Sequence, residues 1–172
     1  MYGLTKAGAE GAAAVAAAHG LRVVIVRPFN HTGPGQRPDF AVPAFAHRIL
    51  AARREGRHVI RAGNVDVRRD ISDVGDVVVA YRLLVEAMFE GRVGDSVPIF
   101  KVASESAVAI RFVIKEIARV AGWAVTIDQD IDLDRPDDPP FIAGSHKRLT
   151  PLTGWLPRTR LTQTLRRRGG IR

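Results

Sequence analysis

The chain has 172 residues, 46% of them hydrophobic and 26% charged, which is enough apolar material for one ordinary domain and too much for a disordered segment. Cysteine is absent, excluding a disulfide framework and any thiolate metal site, and no run reaches membrane-spanning length or forms a charged-then-apolar secretion signal, so the expected setting is the cytoplasm. The net charge of +8, almost wholly from arginine, suits an anionic partner; few aromatic residues and no nucleic-acid motif favour a phosphate-bearing small ligand over a polynucleotide.

Residues 3–19 are alanine-rich and free of proline, which predicts a helix stopped by His19-Gly20. Tyr2 and Lys6 stand four apart, so a helix beginning at Tyr2 places them on one face. A cation held beside a phenol favours the phenolate and so equips a tyrosine to give or take a proton near neutral pH; a solvated helix surface is the plainer use of such a pair. Val23-Val24-Ile25-Val26, between Gly20 and Pro28, reads as a strand buried on both faces, as in a parallel sheet. The loop expected after it, through Pro28, Gly33, Pro34 and Gly35, offers Asn30, His31 and Gln36 at the carboxyl end of that strand, where ligands of open α/β sheets bind.

Residues 39–55 predict a second helix, capped by Asp39, with Phe40, Val42, Phe45, Ile49 and Leu50 for its apolar face and Gly56 as its stop. A short strand follows at residues 58–61, then a turn at Gly63-Asn64 and the segment Val67-Arg68-Arg69-Asp70-Ile71. Arg69 has the planar fork suited to a diphosphate, or forms a surface ion pair with Asp66 or Asp70. Asp73 and Asp76 read as caps of a helix carrying Val77, Val78, Tyr81, Leu84, Val85 and Met88. A strand at residues 97–102 and a helix over residues 107–121 closed by Gly122 come next, then a short strand at Val125-Thr126-Ile127. In the acidic stretch 128–140, Arg135 reads from its neighbours as a loop arginine neutralised by Asp134, Asp137 and Asp138. The five histidines lack metal-site spacing, and residues 166–172 read as a basic tail.

Tyr2-Gly3-Leu4-Thr5-Lys6 followed by Arg27-Pro28-Phe29-Asn30-His31-Thr32-Gly33-Pro34-Gly35-Gln36, with the closing Gly154-Trp155-Leu156-Pro157, resembles the extended short-chain dehydrogenase/reductase family in its nucleotide-sugar branch. Within that branch the Thr32–Gln36 segment resembles the reductases of GDP-6-deoxy-4-keto-mannose more than the GDP-mannose 4,6-dehydratases, in which an acidic and basic sequence follows the histidine. The resemblance implies an α/β chain: a partial, Rossmann-like, doubly wound parallel sheet (mainly residues 1–30 and 71–122) and a small α/β substrate-binding part (mainly residues 31–70 and 123–165). It implies NADPH or NADH as cofactor and reduction of the 4-keto group of a GDP-linked 6-deoxyhexulose. Tyr2 and Lys6 would be catalytic and, with Phe29 and His31, cofactor-binding; Asn30, Arg69 and Arg135 would hold the sugar nucleotide. Residues Lys101 and Ala103-Ser104-Glu105 depart from the Asn and glycine-rich turn the family places there.

The resemblance covers only the second half of the family pattern. No glycine-rich strand-to-helix turn for the cofactor pyrophosphate is present, nor the serine or threonine that assists the tyrosine, so these residues alone are expected to bind dinucleotide poorly and to be inactive. An exposed strand edge beside Val23–Val26 is expected to drive self-association. An epimerase or dehydratase of the same family, and a non-catalytic binding or scaffold protein with a basic surface, are the alternatives.

Overall fold

The structure, a computed structural model, describes residues 2–94, 97–134 and 137–167, except for the side chain of Tyr2. Arg135 and the end of the basic tail, residues 168–172, lie outside the described residues. Helix α1 (Tyr2–Ala18) follows from the alanine run and ends before Gly20, whose φ of 89° is open to glycine without strain. Strand β1 (Ile25–Pro28) pairs in parallel with β5 (Ile99–Val102). It starts two residues later than its β-branched run predicts, and it is half-buried rather than covered on both faces. Among the described residues β5 is its single neighbouring strand, so its other edge carries no ladder.

The segment expected as a loop after β1 begins instead as a strand. Asn30–Thr32 forms β2, which pairs in parallel with β4 (Arg68–Asp73), because the backbone groups beyond Pro28 find partners at Ile71–Asp73. Between them lie α2 (Ala41–Arg54) and β3 (Val59–Ala62). Asp39 does not cap α2: it is drawn into an ion pair with Arg37, Phe40 occupies the N-cap without a side-chain bond, and the Phe40 ring is exposed. After β4 come α3 (Val74–Phe89) and then β5; a short strand β6 (Ala107–Ala109) precedes α4 (Ile110–Ala121), so the predicted helix begins three residues late. Strand β7 (Thr126–Gln129) pairs in parallel with β3, and β8 (Phe141–Ile142) in parallel with β4. Helices α5 (Leu149–Thr153) and α6 (Leu161–Arg167) finish the chain, the latter carrying Arg166 and Arg167 as its last turn rather than as a tail.

Two apolar cores hold these elements. One joins Val77, Ala80 and Leu84 of α3 to Phe100, Val102, Leu149 and Trp155, with Val24 and Val26 at its margin. The other joins α2, β3, β4, α4 and Leu165, and contains Ile49, Ile114 and Ile117 with no exposed surface. Full burial of each such side chain contributes about 1.5–3 kcal/mol. Helix α4 presents Ile110, Val113, Ile114, Ile117, Ala118 and Ala121 at helical spacing toward α2, so it sides with the second core although the sequence grouped residues 71–122 with the first. No helix of the described residues is long and apolar enough to cross a membrane.

Candidate functional site

Helix α1 and strand β1 are joined by the Arg27 guanidinium donating to both carboxylate oxygens of Glu10, at 2.7 and 2.5 Å. The hydrogen bond from Arg27 holds the Glu10 carboxyl below its ordinary pKa, and the arginine is correspondingly raised. The helix enters β1 through a short connection and therefore runs back against it. Lys6 lies one turn before Glu10, roughly 6 Å along the axis, and Tyr2 a further turn on. Both positions therefore lie on the part of α1 that precedes the Glu10–Arg27 tie. The Lys6 side chain is exposed, and the Tyr2 side chain lies outside the described residues.

Phe29 bridges β1 and β2. Its amide donates to the Val102 carbonyl at 2.9 Å, which carries the parallel ladder one residue past the end of β1. Its half-buried ring lies against Gly144 and Ala103: a Cβ on Gly144 would stand 2.4 Å from the ring and 2.6 Å from the Ala103 methyl. Asn30 and His31 are exposed, and His31 Nδ1 lies 3.0 Å from the Phe29 carbonyl. The segment after them is closed locally: Thr32 donates its hydroxyl to Gln36, whose amide donates back to the His31 carbonyl at 3.1 Å. Gly33 is pressed against Val74, where a Cβ would meet the Val74 side chain at 2.3 Å.

The register of β2 on β4 sets the faces. Asn30 is opposite Ile71 and His31 opposite Ser72, so Asn30 shares a face with Arg69, two residues earlier on β4, while His31 lies on the other. Arg69 is buried at 7% exposure. It bonds neither Asp66, which accepts from Arg111, nor Asp70; its Nη2 lies 2.6 Å from Asp138 Oδ1, and its Nη1 donates to the Arg68 carbonyl at 2.8 Å. At the junction of β1 and β2 the alternation therefore puts Asn30 and Arg69 on one face of the sheet and Phe29 with His31 on the other.

The sequence did not reveal what stands behind this junction. Asp70 has no exposed surface and accepts from the Ser104 amide (2.9 Å), the Ser104 hydroxyl (2.6 Å), the Glu105 amide (2.9 Å) and the Gly144 amide (3.4 Å). Glu105 adopts φ 59°, rare for a residue with a side chain, and its carboxylate accepts from the Ser145 hydroxyl at 2.6 Å and the His146 amide at 2.9 Å. Those two bonds hold its carboxyl below the ordinary pKa against the opposing effect of burial, with lesser help from the nearby His146 and Lys147. This clamp stands where the sequence departs from a glycine-rich turn. Nothing in the sequence singled Asp70 out, since the segment Arg68–Asp73 is charged or polar except at Ile71. Asp76 also differs from expectation: it accepts from the amides of Arg158 and Thr159 at 2.9 and 2.8 Å, fastening the last segment to α3 rather than capping it, while Asp73 does cap, accepting from the Gly75 amide.

The family profile described as GDP-mannose 4,6 dehydratase matches residues 1–168. GDP-6-deoxy-D-mannose reductase of Pseudomonas aeruginosa is 37% identical over 149 residues, covering 86% of this chain and 47% of that protein. Among solved structures, that of RMD from Pseudomonas aeruginosa complexed with NADPH superposes with a TM-score of 0.83 at 34% identity, over 96% of this chain and 53% of that one. MoeE5 in complex with UDP-glucuronic acid and NAD superposes with a TM-score of 0.78 at 28% identity, over 97% of this chain and 53% of that one. The chain spans about half the length of the relatives it matches.

Proposed function

Because the chain belongs to the GDP-mannose 4,6 dehydratase family, we propose that it forms the proton-donating and substrate-holding portion of an NAD(P)-dependent nucleotide-sugar reductase acting on the 4-keto group of a GDP-linked 6-deoxyhexulose. The observation that carries this reading is the 37% identity to GDP-6-deoxy-D-mannose reductase over 86% of this chain, and the Glu10–Arg27 ion pair, which ties α1 to the strand that leads into Phe29, Asn30 and His31, supports it. The Tyr2 hydroxyl delivers a proton to the developing alkoxide, and the Lys6 ammonium favours the phenolate left behind while holding the nicotinamide ribose. Phe29 and His31 line the dinucleotide, whose chemical contribution when bound is hydride. Asn30, Arg69 and Arg135 hold the sugar nucleotide, the arginines by paired donation to its phosphates.

The residues present fit the nicotinamide end of the dinucleotide, through an exposed lysine on α1 beside the strand end, but include no glycine-rich turn for the pyrophosphate. These 172 residues by themselves therefore hold dinucleotide weakly and are inactive, and they self-associate through the unladdered edge of β1. Residues 1–30 with α3, β5 and α5 make up the Rossmann-type layer, and the elements of the second core the substrate part. Dehydration or epimerisation is the second reading, the first of the two supported by the description of the matching profile.

Calorimetric titration of the chain with GDP-mannose and with NADPH tests the proposal. Saturable, salt-insensitive GDP-mannose binding that Arg69→Ala abolishes is expected, with no micromolar NADPH binding. GDP-mannose binding unchanged by Arg69→Ala, or nucleic-acid binding with steep salt dependence in its place, overturns it.

A further inference from the structure

The geometry points to Asp138 as an internal occupant of the anion position at Arg69, a carboxylate that an incoming diphosphate must displace. The inference rests on the reading of Arg69 as a phosphate-holding residue and adds what governs access to it. The two side chains are unequally covered: Arg69 is 9% exposed and Asp138 37%, so the carboxylate lies on the solvent side of the buried guanidinium. Their atoms approach to 2.6 Å, yet Arg69 Nη2 is fully buried and has no acceptor in hydrogen-bonding alignment. A guanidinium presents a planar fork, and an acceptor that meets it off-axis leaves its directional bonding unused; a diphosphate with several oxygens can align with it.

The chain holds Asp138 at this position from its C-terminal side: two residues later, the Pro140 carbonyl accepts from the Arg68 amide at 2.8 Å, and β8 then pairs beside Arg68 and Arg69. Tethered in this way, Asp138 competes at high effective concentration, and the apparent affinity of any external anion falls by the fraction of chains in which the pair is open. Other carboxylates near Arg69 in sequence are engaged elsewhere, Asp66 with Arg111 and Asp70 with the amides of Ser104 and Glu105.

The test titrates the full chain and its Asp138→Asn variant with inorganic pyrophosphate and with GDP. Asparagine keeps the shape and removes the competing charge, and roughly tenfold tighter pyrophosphate binding is expected, matching a pair closed about nine-tenths of the time. Asp138→Glu, which retains the carboxylate, should stay within about twofold of the unsubstituted chain. Equal or weaker pyrophosphate binding by Asp138→Asn overturns the inference. A gain for pyrophosphate with no GDP binding by either protein upholds the competition and removes the nucleotide-sugar reading instead. Should the variant not fold, nitrogen-15 NMR of the unsubstituted chain decides: pyrophosphate must shift the Arg69 side-chain signal and the Asp138 amide together, and a response at Arg69 alone refutes the displacement.

Discussion

Replacing Asp70 by alanine removes the acceptor for four donors at once. A carboxylate accepts about four hydrogen bonds, and Asp70 fills that capacity with the two amides at 2.9 Å, the Ser104 hydroxyl at 2.6 Å and the longer Gly144 amide at 3.4 Å. Burying a carboxylate without a cation is costly, and removing such a charge sometimes stabilises a protein. Here the opposite sign is expected, because alanine leaves donors that are themselves partly covered and have no other acceptor. Leaving a donor unsatisfied costs about 1–3 kcal/mol, so two short amide bonds and a hydroxyl that can partly re-solvate sum to about 3–5 kcal/mol. That is a large share of the 5–15 kcal/mol typical of a domain. Asparagine keeps one oxygen and with it one pair of donors, which halves the expected loss to about 2 kcal/mol, while Ser104→Ala removes the hydroxyl bond to Asp70 and the long, exposed bond that the hydroxyl accepts from the Ser106 amide, and costs about 1 kcal/mol. Urea unfolding followed by far-ultraviolet dichroism measures the series, with unchanged slopes required for the comparison. A loss below about 1 kcal/mol for Asp70→Ala would refute the reasoning, since it would mean that the 104–105 and 144 segments hold their places without this carboxylate.

Gly144→Ala forces the Phe29 ring aside, since the new methyl would stand 2.4 Å from it; an overpacking cost of about 1–3 kcal/mol should lower the melting temperature, and an unchanged one would contradict the close approach. The Glu105 clamp titrates with a definite sign: its folded pKa lies below the unfolded value, so its stabilisation is complete above the unfolded glutamate pKa and is lost as the pH falls through the folded one. The stability gap between the unsubstituted chain and Glu105→Gln should therefore be present at neutral pH and close on acidification below about pH 4, and a gap that widens in acid would contradict the assignment. Light scattering on a size-exclusion column should give a mass above 18.8 kDa for the chain, whereas a monomer across the concentration range would count against edge-driven association.

Local sequence determined the elements. The alanine run made α1, the spacing of Ile110, Val113, Ile114 and Ile117 made α4, and Gly122 and Gly154 stopped helices with φ of 63° and 69°. The phenol and ammonium four residues apart, and the paired arginines Arg68 and Arg69, were equally legible, because each is a matter of near neighbours and side-chain type. Tertiary structure decided how charges are shared. Asp70 reaches donors 34 and 74 residues away and Asp76 fastens amides 82 residues on, while Arg69 takes Asp138 rather than the nearer Asp66 or Asp70. A carboxylate has several possible donors within reach of a flexible chain, and only strand register and the turns that bring distant amides together select among them, so the sequence marks such a residue as charged without saying what it holds.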